Sequence, residues 1–422
     1  MNSFGVEAVP RVLCIPELLR RVFELSTDQS NAVHAAICKT WSEEATRVIW
    51  RDVSTDRLFS LLAPLRSGEM LEDLSFAREI DEDDWDRFDR YSHKVRSLRF
   101  TREYNPSVFK EIALGRRRLD FLPNLVALYN AQPTLLFTYS TIKHLIFTED
   151  MSSAHEIIAW LGIIERRMCH IERLHIEPYL HEPLSDVQAA FTSALKRMKR
   201  LKELDEFDVH INFGTAMVYI PTLNGFRMLR VLKITSGEEE SFENYITLLD
   251  VISLHCPRLK ILKLAMDDPP VTRVITERTT KYICRVRHLL CSLQHLESLT
   301  FRNFGVQGLV PLRDLPHFAH STLTVLHLDI DSGLTSDDVV PCDFPRLRKL
   351  HFGPTSTPIS QPTEVASFLS RILPSNCEIS SEPDSRIDCE SLKQVRTWVP
   401  ILIKARTEGR ATGAELIKEE SV

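Results

Sequence analysis

The stretch Leu259-Lys260-Ile261-Leu262-Lys263-Leu264 decides the fold of this chain, because its pattern returns along most of the 422 residues. Each copy has apolar residues at its first, fourth and sixth positions and variable residues between them. Clear copies cover residues 95–100, 142–147, 171–176, 229–234, 259–264, 296–301, 323–328 and 347–352, and weak copies cover 125–128 and 201–204. From residue 174 onward the central leucines are 24 to 37 residues apart. Such a period predicts stacked repeats that bury their apolar faces against one another.

The segments between copies have the apolar periodicity of helices, for example over residues 245–254 and 286–293. Each unit therefore reads as strand, loop and helix, and the assembly resembles a leucine-rich-repeat solenoid. The resemblance implies an α/β fold over residues 94–380, with parallel strands on a concave face and helices on a convex face. Asn or Cys after the third apolar position, which is usual in that family, is mostly absent, so we expect irregular turns.

The variable positions of the repeat strands point away from the core, because strand side chains alternate between faces. Stacking aligns them into one polar and cationic surface, which suits recognition of a protein rather than of a small molecule in an apolar pocket. The predicted target-binding residues are Arg173, His175, Lys233, Lys263, Thr300, Arg302, His327 and His351. A merely solvated face is the alternative for each of these side chains.

A different pattern occupies the first sixty residues. Apolar residues at positions 18, 19, 22 and 25 have the spacing of one helix face, and Pro16 is near its start. Two more short helical stretches follow before residue 51. Three short helices make a small core that is marginal without a partner. The sequence therefore predicts a three-helix module over residues 12–55.

This module closely resembles an F-box. The resemblance rests on Ile15-Pro16-Glu17-Leu18-Leu19, Val22-Phe23, Ile37-Cys38-Lys39-Thr40-Trp41 and Val48-Ile49-Trp50-Arg51, which match the order and spacing of that family's motif. It implies docking on the adaptor Skp1 of a cullin-based ubiquitin ligase. The residues that would supply or support the docking surface are Pro16, Leu18, Leu19, Val22, Ile37, Cys38 and Trp41. A plain three-helix cap is the alternative.

The composition of the chain argues against several functional classes. The net charge of −6 gives no general attraction for nucleic acid, and no apolar run approaches the length of a membrane span. Nine scattered cysteines and an N-terminus without a signal-peptide pattern favour reduced thiols in the cytosol or nucleus. The chain has only 13 glycines and no glycine-rich phosphate loop, so we expect no nucleotide and no other cofactor.

Three local clusters contain residue types that bind metal ions or anions in other proteins. The acidic run at 79–87 lacks the Gly and Glu of a calcium loop and is interpreted as a solvated loop, which follows a linking helix within a linker at 56–93. Cys284, His288 and Cys291 share one helix face but lack a fourth zinc ligand nearby. The basic run at 196–202 is interpreted as a solvated helix end. Closing helices and a frayed tail are expected over residues 381–422.

The sequence therefore favours a non-catalytic substrate receptor, in which the module binds Skp1 and the repeats bind an unidentified target protein. A repeat scaffold without any ligase is the main alternative. A hydrolase or metalloenzyme hidden among the repeats is a third hypothesis, although the G-x-S-x-G nucleophile motif is missing.

Overall fold

The computed structural model describes most of the chain in two compact units. The described residues are 15–67, 74–102, 104–129, 135–147, 154–168, 170–176, 204–222, 224–237, 240–266, 276–302, 310–333, 344–353, 356–381 and 389–420. The first unit comprises Met1–Arg173 with Pro178–Leu180, and the second comprises Leu174–Glu177 with His181–Val422.

The first unit begins with three helices and continues with short strands alternating with helices. Its elements are α1 (Pro16–Glu24), α2 (Asp28–His34), α3 (Lys39–Ile49), β1 (Asp52–Ser54), α4 (Thr55–Phe59), β2 (Leu65–Ser67), β3 (Leu74–Phe76), α5 (Glu82–Ser92), β4 (Ser97–Arg99), α6 (Pro106–Gly115), β5 (Ala127–Tyr129), β6 (His144–Phe147) and α7 (Ala154–Arg167). Strands β1, β4, β5 and β6 pair in that order, all parallel, and β2 pairs with β3 antiparallel.

The second unit repeats a strand–helix pattern more regularly. Strand β7 (Arg173–Ile176) begins at the division between the units. The later elements are β8 (Glu206–His210), α8 (Phe213–Tyr219), β9 (Val231–Ser236), α9 (Phe242–His255), β10 (Ile261–Met266), α10 (Thr276–Ser292), β11 (Ser298–Arg302), β12 (Val310–Pro311), β13 (Val325–Leu328), β14 (Ile330–Asp331), β15 (Lys349–Phe352), α11 (Pro362–Ile372), β16 (Glu378–Ser381) and α12 (Cys389–Glu420). Strands β8, β9, β10, β11, β13, β15 and β16 pair in that order, all parallel.

The predicted repeats correspond to these strands. Each clear copy overlaps one of β4, β6, β7, β9, β10, β11, β13 and β15, while one weak copy overlaps β5 and the other ends shortly before β8. In the second unit the central leucines face one another across the strands, and all are fully buried: Leu232, Leu262, Leu299, Leu326 and Leu350. The expected mixed α/β architecture with parallel repeat strands is confirmed, and β16 adds a strand beyond the last predicted copy.

The acidic run at 79–87 is not a solvated loop, and that prediction is wrong. Most of it forms the start of α5, where Asp81 and Asp84 each accept a hydrogen bond from the other's backbone N–H, at 2.9 and 3.0 Å. Carboxylates are favoured there because the helix dipole presents its positive end. Asp84 is fully buried beneath Arg78 (2.6 Å) and Arg87 (2.9 Å). The hydrogen bond from Arg78 lowers the pKa of Asp84 to about 2.

Two further boundaries differ from expectation. The linking helix is short, because α4 ends at Phe59, and the expected frayed tail continues α12 through Glu420. Helix α12 is attached to α11 by Arg406, which donates hydrogen bonds to the Ser370 carbonyl and hydroxyl oxygens at 2.5 and 2.9 Å. The basic run at 196–202 lies outside the described residues. None of the described helices has the length and hydropathy needed to span a bilayer.

Candidate partner-binding surfaces

The three-helix module has a small core made of side chains from all three helices. Leu19 and Phe23 of α1 pack on Ala45 of α3, and all three are buried. Trp41 contacts Phe23 edge-on, with ring centroids 5.6 Å apart, and His34 stacks on Phe23 at 5.8 Å. Aromatic pairs of this geometry stabilise a core beyond the apolar area they bury. Phe23 is thus the residue that joins the three helices.

A buried carboxylate joins α1 to α3. Glu44 is 5% exposed and accepts hydrogen bonds from Arg20 at 2.9 and 3.0 Å and from Arg47 at 2.7 Å. A buried charge is tolerated when it is paired and hydrogen-bonded in this way. Trp50, at the end of α3, stacks on Tyr91 of α5 with centroids 4.5 Å apart. The module is therefore supported by the rest of the first unit.

The same module also has large apolar side chains that are exposed to solvent. Six of the fourteen exposed large apolar residues in the described part of the chain lie between residues 15 and 37. They are Ile15, Leu18, Val22, Leu25, Val33 and Ile37, which together we call the exposed apolar face. Leu25 is 78% exposed and Val33 is 67% exposed. Clusters of exposed apolar residues on soluble proteins mark interaction sites more often than chance surface composition does.

The structure divides the predicted Skp1-binding residues into two groups. Pro16, Leu18, Val22, Ile37 and Cys38 are exposed, so they are available to a partner. The other two predicted residues, Leu19 and Trp41, are buried and half-buried in the module core.

Leu19 and Trp41 therefore support the surface and do not form it. Leu18 and Leu19 were predicted on one helix face, but in α1 Leu19 is 1% exposed and Leu18 is 44% exposed. Sequence reasoning missed Ile15, Leu25 and Val33 as surface residues. The signal for the first two was present, because positions 15, 18, 22 and 25 have the spacing of a single helix stripe.

The predicted target-binding residues of the second unit fall in one row across the parallel strands. Register pairs Lys233 with Lys263, Lys263 with Thr300, Thr300 with His327, and His327 with His351. The same register adds Asp208 beside Lys233 and Ser380 beside His351. All five predicted members are half-buried, with their polar ends on the side opposite the buried leucines.

The remaining predicted residues lie near this row or at its end. Arg302 follows Thr300 by two positions on the same face of β11, where it pairs in register with Ala265. His175 on β7 contacts Asp208, with Nδ1 and Oδ2 2.9 Å apart. Arg173 is exposed and belongs to the first unit. The sequence therefore placed the members of the row correctly on one side of the strands.

At the β8–β9 end of the row, opposite charges neutralise one another. Lys233 lies 2.9 Å from Glu206 and 3.1 Å from Asp208. Burial opposes ionisation of Asp208, but His175 and Lys233 outweigh it and lower the pKa of Asp208. Burial likewise opposes the charge of Lys233, but Glu206 and Asp208 raise the pKa of this lysine. Asp208 and Lys233 are therefore both charged at neutral pH and pair with each other.

At the other end of the row, basic side chains crowd together. The rings of His327 and His351 are 5.5 Å apart, and His351 Nδ1 is 2.6 Å from the Ser380 hydroxyl oxygen. Burial, and to a lesser extent the positive potential of His351, Arg302 and Lys263, together lower the pKa of His327 to about 4. His327 is therefore neutral at pH 7 and has three basic neighbours.

The cysteine–histidine cluster on α10 is an exposed surface feature. Cys284, His288 and Cys291 all face solvent. Among the residues that the structure describes, no group of three or more His, Cys, Asp or Glu side chains is arranged to hold a metal ion.

Comparison with known proteins finds structural similarity only. No protein-family model and no curated protein matches this sequence. A crystal structure of the Rad7 and Elc1 complex in yeast is 13% identical, with a TM-score of 0.35, covering 91% of this chain and 96% of that chain. The TLR13–ssRNA13 complex is 15% identical, with a TM-score of 0.33, covering 80% of this chain and 53% of that chain. Both TM-scores are low.

Proposed function

We propose that this chain is a non-catalytic substrate-recognition subunit of a Skp1–cullin–F-box ubiquitin ligase. In this proposal the exposed apolar face binds Skp1, and the polar row of the second unit binds a target protein. A separate enzyme transfers ubiquitin, and the chain contributes by raising the local concentration of the target. We place this activity in the cytosol or nucleus, where ubiquitin ligases of this class work.

The observation that carries the proposal is the exposed apolar face itself. Folding normally removes side chains such as Leu18, Leu25 and Val33 from water. This burial stabilises the folded state by roughly 25 cal/mol for each Å² of apolar area. Here the module leaves them outside while burying a glutamate, Glu44, within its interior. This arrangement becomes favourable when a partner covers the apolar side chains. The F-box resemblance of residues 15–51 identifies that partner as Skp1.

Co-purification with Skp1 tests the proposal. We expect the full-length chain to form a stable complex, and a Leu18→Asp, Leu25→Asp double variant to bind at least about tenfold more weakly, because carboxylates would be buried in an apolar interface. The matched control is Leu114→Asp, Leu254→Asp. Leu114 and Leu254 are 78% and 75% exposed, outside the module. This control should bind Skp1 like the wild type.

The alternatives give different results. A wild-type chain that does not bind Skp1 would overturn the ligase proposal and leave a repeat scaffold that binds partners without ubiquitin transfer. Equal loss of binding in both double variants would mean that the exposed apolar face is not the docking surface. Circular dichroism of each variant separates loss of binding from loss of folding.

A further inference from the structure

Charge is distributed unevenly over the outward-facing side of the strands in the second unit. On β10, β11, β13 and β15 the outward positions include five basic residues and no Asp or Glu. These five residues, which we call the basic face, are Lys263, Arg302, His327, Lys349 and His351. Asp329, directly after β13, is 2% exposed and lies beside Gly353, so its carboxylate is not among the solvent-exposed groups of this face.

The neighbouring strands show a different arrangement. On β8 and β9 the outward-facing positions include two carboxylates, Glu206 and Asp208, and both lie within about 3 Å of Lys233. On the far side, Lys349 reaches Glu378 of β16 only at 3.7 Å, and both side chains are more than half exposed. Such an exposed pair contributes little and is easily exchanged for another anion. The strands on both sides of the basic face therefore carry basic and acidic side chains together, whereas the outward positions of the basic face carry basic residues without acidic ones.

Crowding of basic groups makes this surface complementary to an anion. His327 on β13 faces Lys263 from β10, Arg302 from β11 and His351 from β15, and each of these three disfavours a proton on His327. A bound anion would be attracted by the positive charges of Lys263 and Arg302 and could accept hydrogen bonds from them and from the neutral His327 ring. The Thr300 hydroxyl lies between Lys263 and His327 in register and offers a neutral donor.

We propose that the basic face binds an extended, carboxylate-rich segment of a target protein. Paired strands are about 4.8 Å apart, so the row from Lys263 to His351 extends over roughly 14 Å. An extended peptide needs about four or five residues to cover this distance. Several acidic side chains can meet the cations Lys263, Arg302 and Lys349 and the donor groups of the row between them, whereas a single phosphate group reaches only adjacent groups. The proposal deepens the proposed function by naming the chemistry of the target, and it rests on the row being the target-binding surface.

Peptide binding to the full-length chain tests the inference independently of Skp1. The probe is a fluorescein-labelled peptide of about twelve residues in which Glu alternates with Ser, and fluorescence anisotropy at low salt measures its affinity. We expect saturable binding of this peptide and none of the same peptide with Gln in place of Glu. A Lys263→Glu, Arg302→Glu double variant should weaken binding at least about tenfold, because attraction becomes repulsion.

The matched control carries the same charge change elsewhere. Lys393→Glu, Lys404→Glu alters two exposed lysines of α12, so it reproduces the change in net charge away from the basic face. This control should bind the Glu peptide like the wild type. Equal weakening in both variants would overturn the proposal, because it would show attraction to net charge and not to a site.

Two further probes separate other anions from the proposed ligand. A neutral peptide with one phosphoserine and a single-stranded RNA of about ten nucleotides are measured under the same conditions. Tighter binding of either one than of the Glu peptide would overturn the assignment to a carboxylate-rich segment. A sample that binds Skp1 but not the Glu peptide would disprove only this inference, and the reverse result would disprove only the ligase proposal.

Discussion

The exposed apolar face of the first unit reverses the usual placement of side chains, whereas the basic face of the second unit follows it. The module keeps a glutamate inside and leaves Leu18 and Val22 in solvent, whereas β10 to β15 bury every central leucine and present cations. One surface offers hydrophobic burial, which salt hardly changes. The other offers electrostatic attraction, which salt screens. One chain therefore presents two surfaces of different chemistry, and the partners proposed for them should respond differently to salt.

The largest expected effect separates two adjacent leucines of α1. Leu19→Ala should lower the free energy of unfolding of the module by about 3 kcal/mol, because a fully packed side chain leaves a cavity. Leu18→Ala should change it by less than about 0.5 kcal/mol, because Leu18 is in solvent. Hydrogen exchange of α1 to α3 measures both effects. Similar protection in the two variants would contradict the division of α1 into a core side and an exposed side.

The second prediction compares the buried glutamates of the two units. Glu240 is 8% exposed and accepts hydrogen bonds from the Phe213 backbone N–H at 2.5 Å and from the Ser236 hydroxyl at 2.9 Å. Glu240→Ala leaves these buried donors without that acceptor and should cost about 2 to 3 kcal/mol. Glu44→Ala should cost less, about 1 to 2 kcal/mol, because Arg20 and Arg47 can turn to solvent.

Chemical denaturation of both glutamate variants measures these costs. Hydrogen exchange of α1 to α3 at each denaturant concentration reports the module, and far-ultraviolet circular dichroism reports the chain as a whole. Since the chain has two units, the two signals are fitted separately. A larger cost for Glu44→Ala than for Glu240→Ala would show that the arginines, and not solvent access, control the stability of the module.

The third prediction concerns acid and the basic face. His327 has a folded pKa of about 4, while an unfolded histidine titrates near about 6.5. The folded state therefore resists protonation, so its stability is complete above that unfolded value and falls as pH decreases toward 4. At about pH 5 the loss from this one group is about 2 kcal/mol.

A His327→Gln variant isolates this contribution. Urea denaturation at about pH 7 and about pH 5 should show that the wild type loses about 2 kcal/mol more than the variant over this interval. Other acid-sensitive groups, including Asp84, are common to both proteins and cancel in the comparison. An equal loss in the two proteins would mean that burial and the neighbouring basic groups do not lower the pKa of His327 in the folded state.

The strands of the fold could be predicted from sequence because one pattern recurs with the same physical meaning. A leucine at the centre of each copy faces the core, and its neighbours face outward, so the row from Lys233 to His351 followed from alternation alone. The acidic run at 79–87 was misassigned for an equally physical reason. Its charge suggested solvation, but Asp84 is neutralised by Arg78, three residues before Asp81, and only the three-dimensional arrangement shows that pairing.

The module shows where sequence reasoning about the site fails. Positions 18, 19, 22 and 25 fit one helix face, and the same spacing also fits the stripe formed by 15, 18, 22 and 25. Which stripe faces inward depends on Phe23 and on Ala45 of α3, and this tertiary contact has no counterpart in the periodicity of α1. Likewise, strand register places Lys233 beside Glu206 and Asp208, which balance its charge. The periodicity of the sequence does not show this pairing, so only the structure shows that the basic face begins at Lys263 and not at Lys233.

The smallest expected effect tests the contrast between the two surfaces directly. Raising the salt concentration from about 0.05 M to about 0.3 M shortens the screening distance to less than about 10 Å, so binding of the Glu peptide should weaken several-fold. Skp1 binding should change by less than about twofold, because burial of apolar area is insensitive to salt in this range. Both affinities are measured on the same preparation, with the Lys393→Glu, Lys404→Glu variant as the control for net charge. If Skp1 binding is the more salt-sensitive of the two, charged residues around the module, such as Arg21 and Glu17, must govern docking in place of the exposed apolar face.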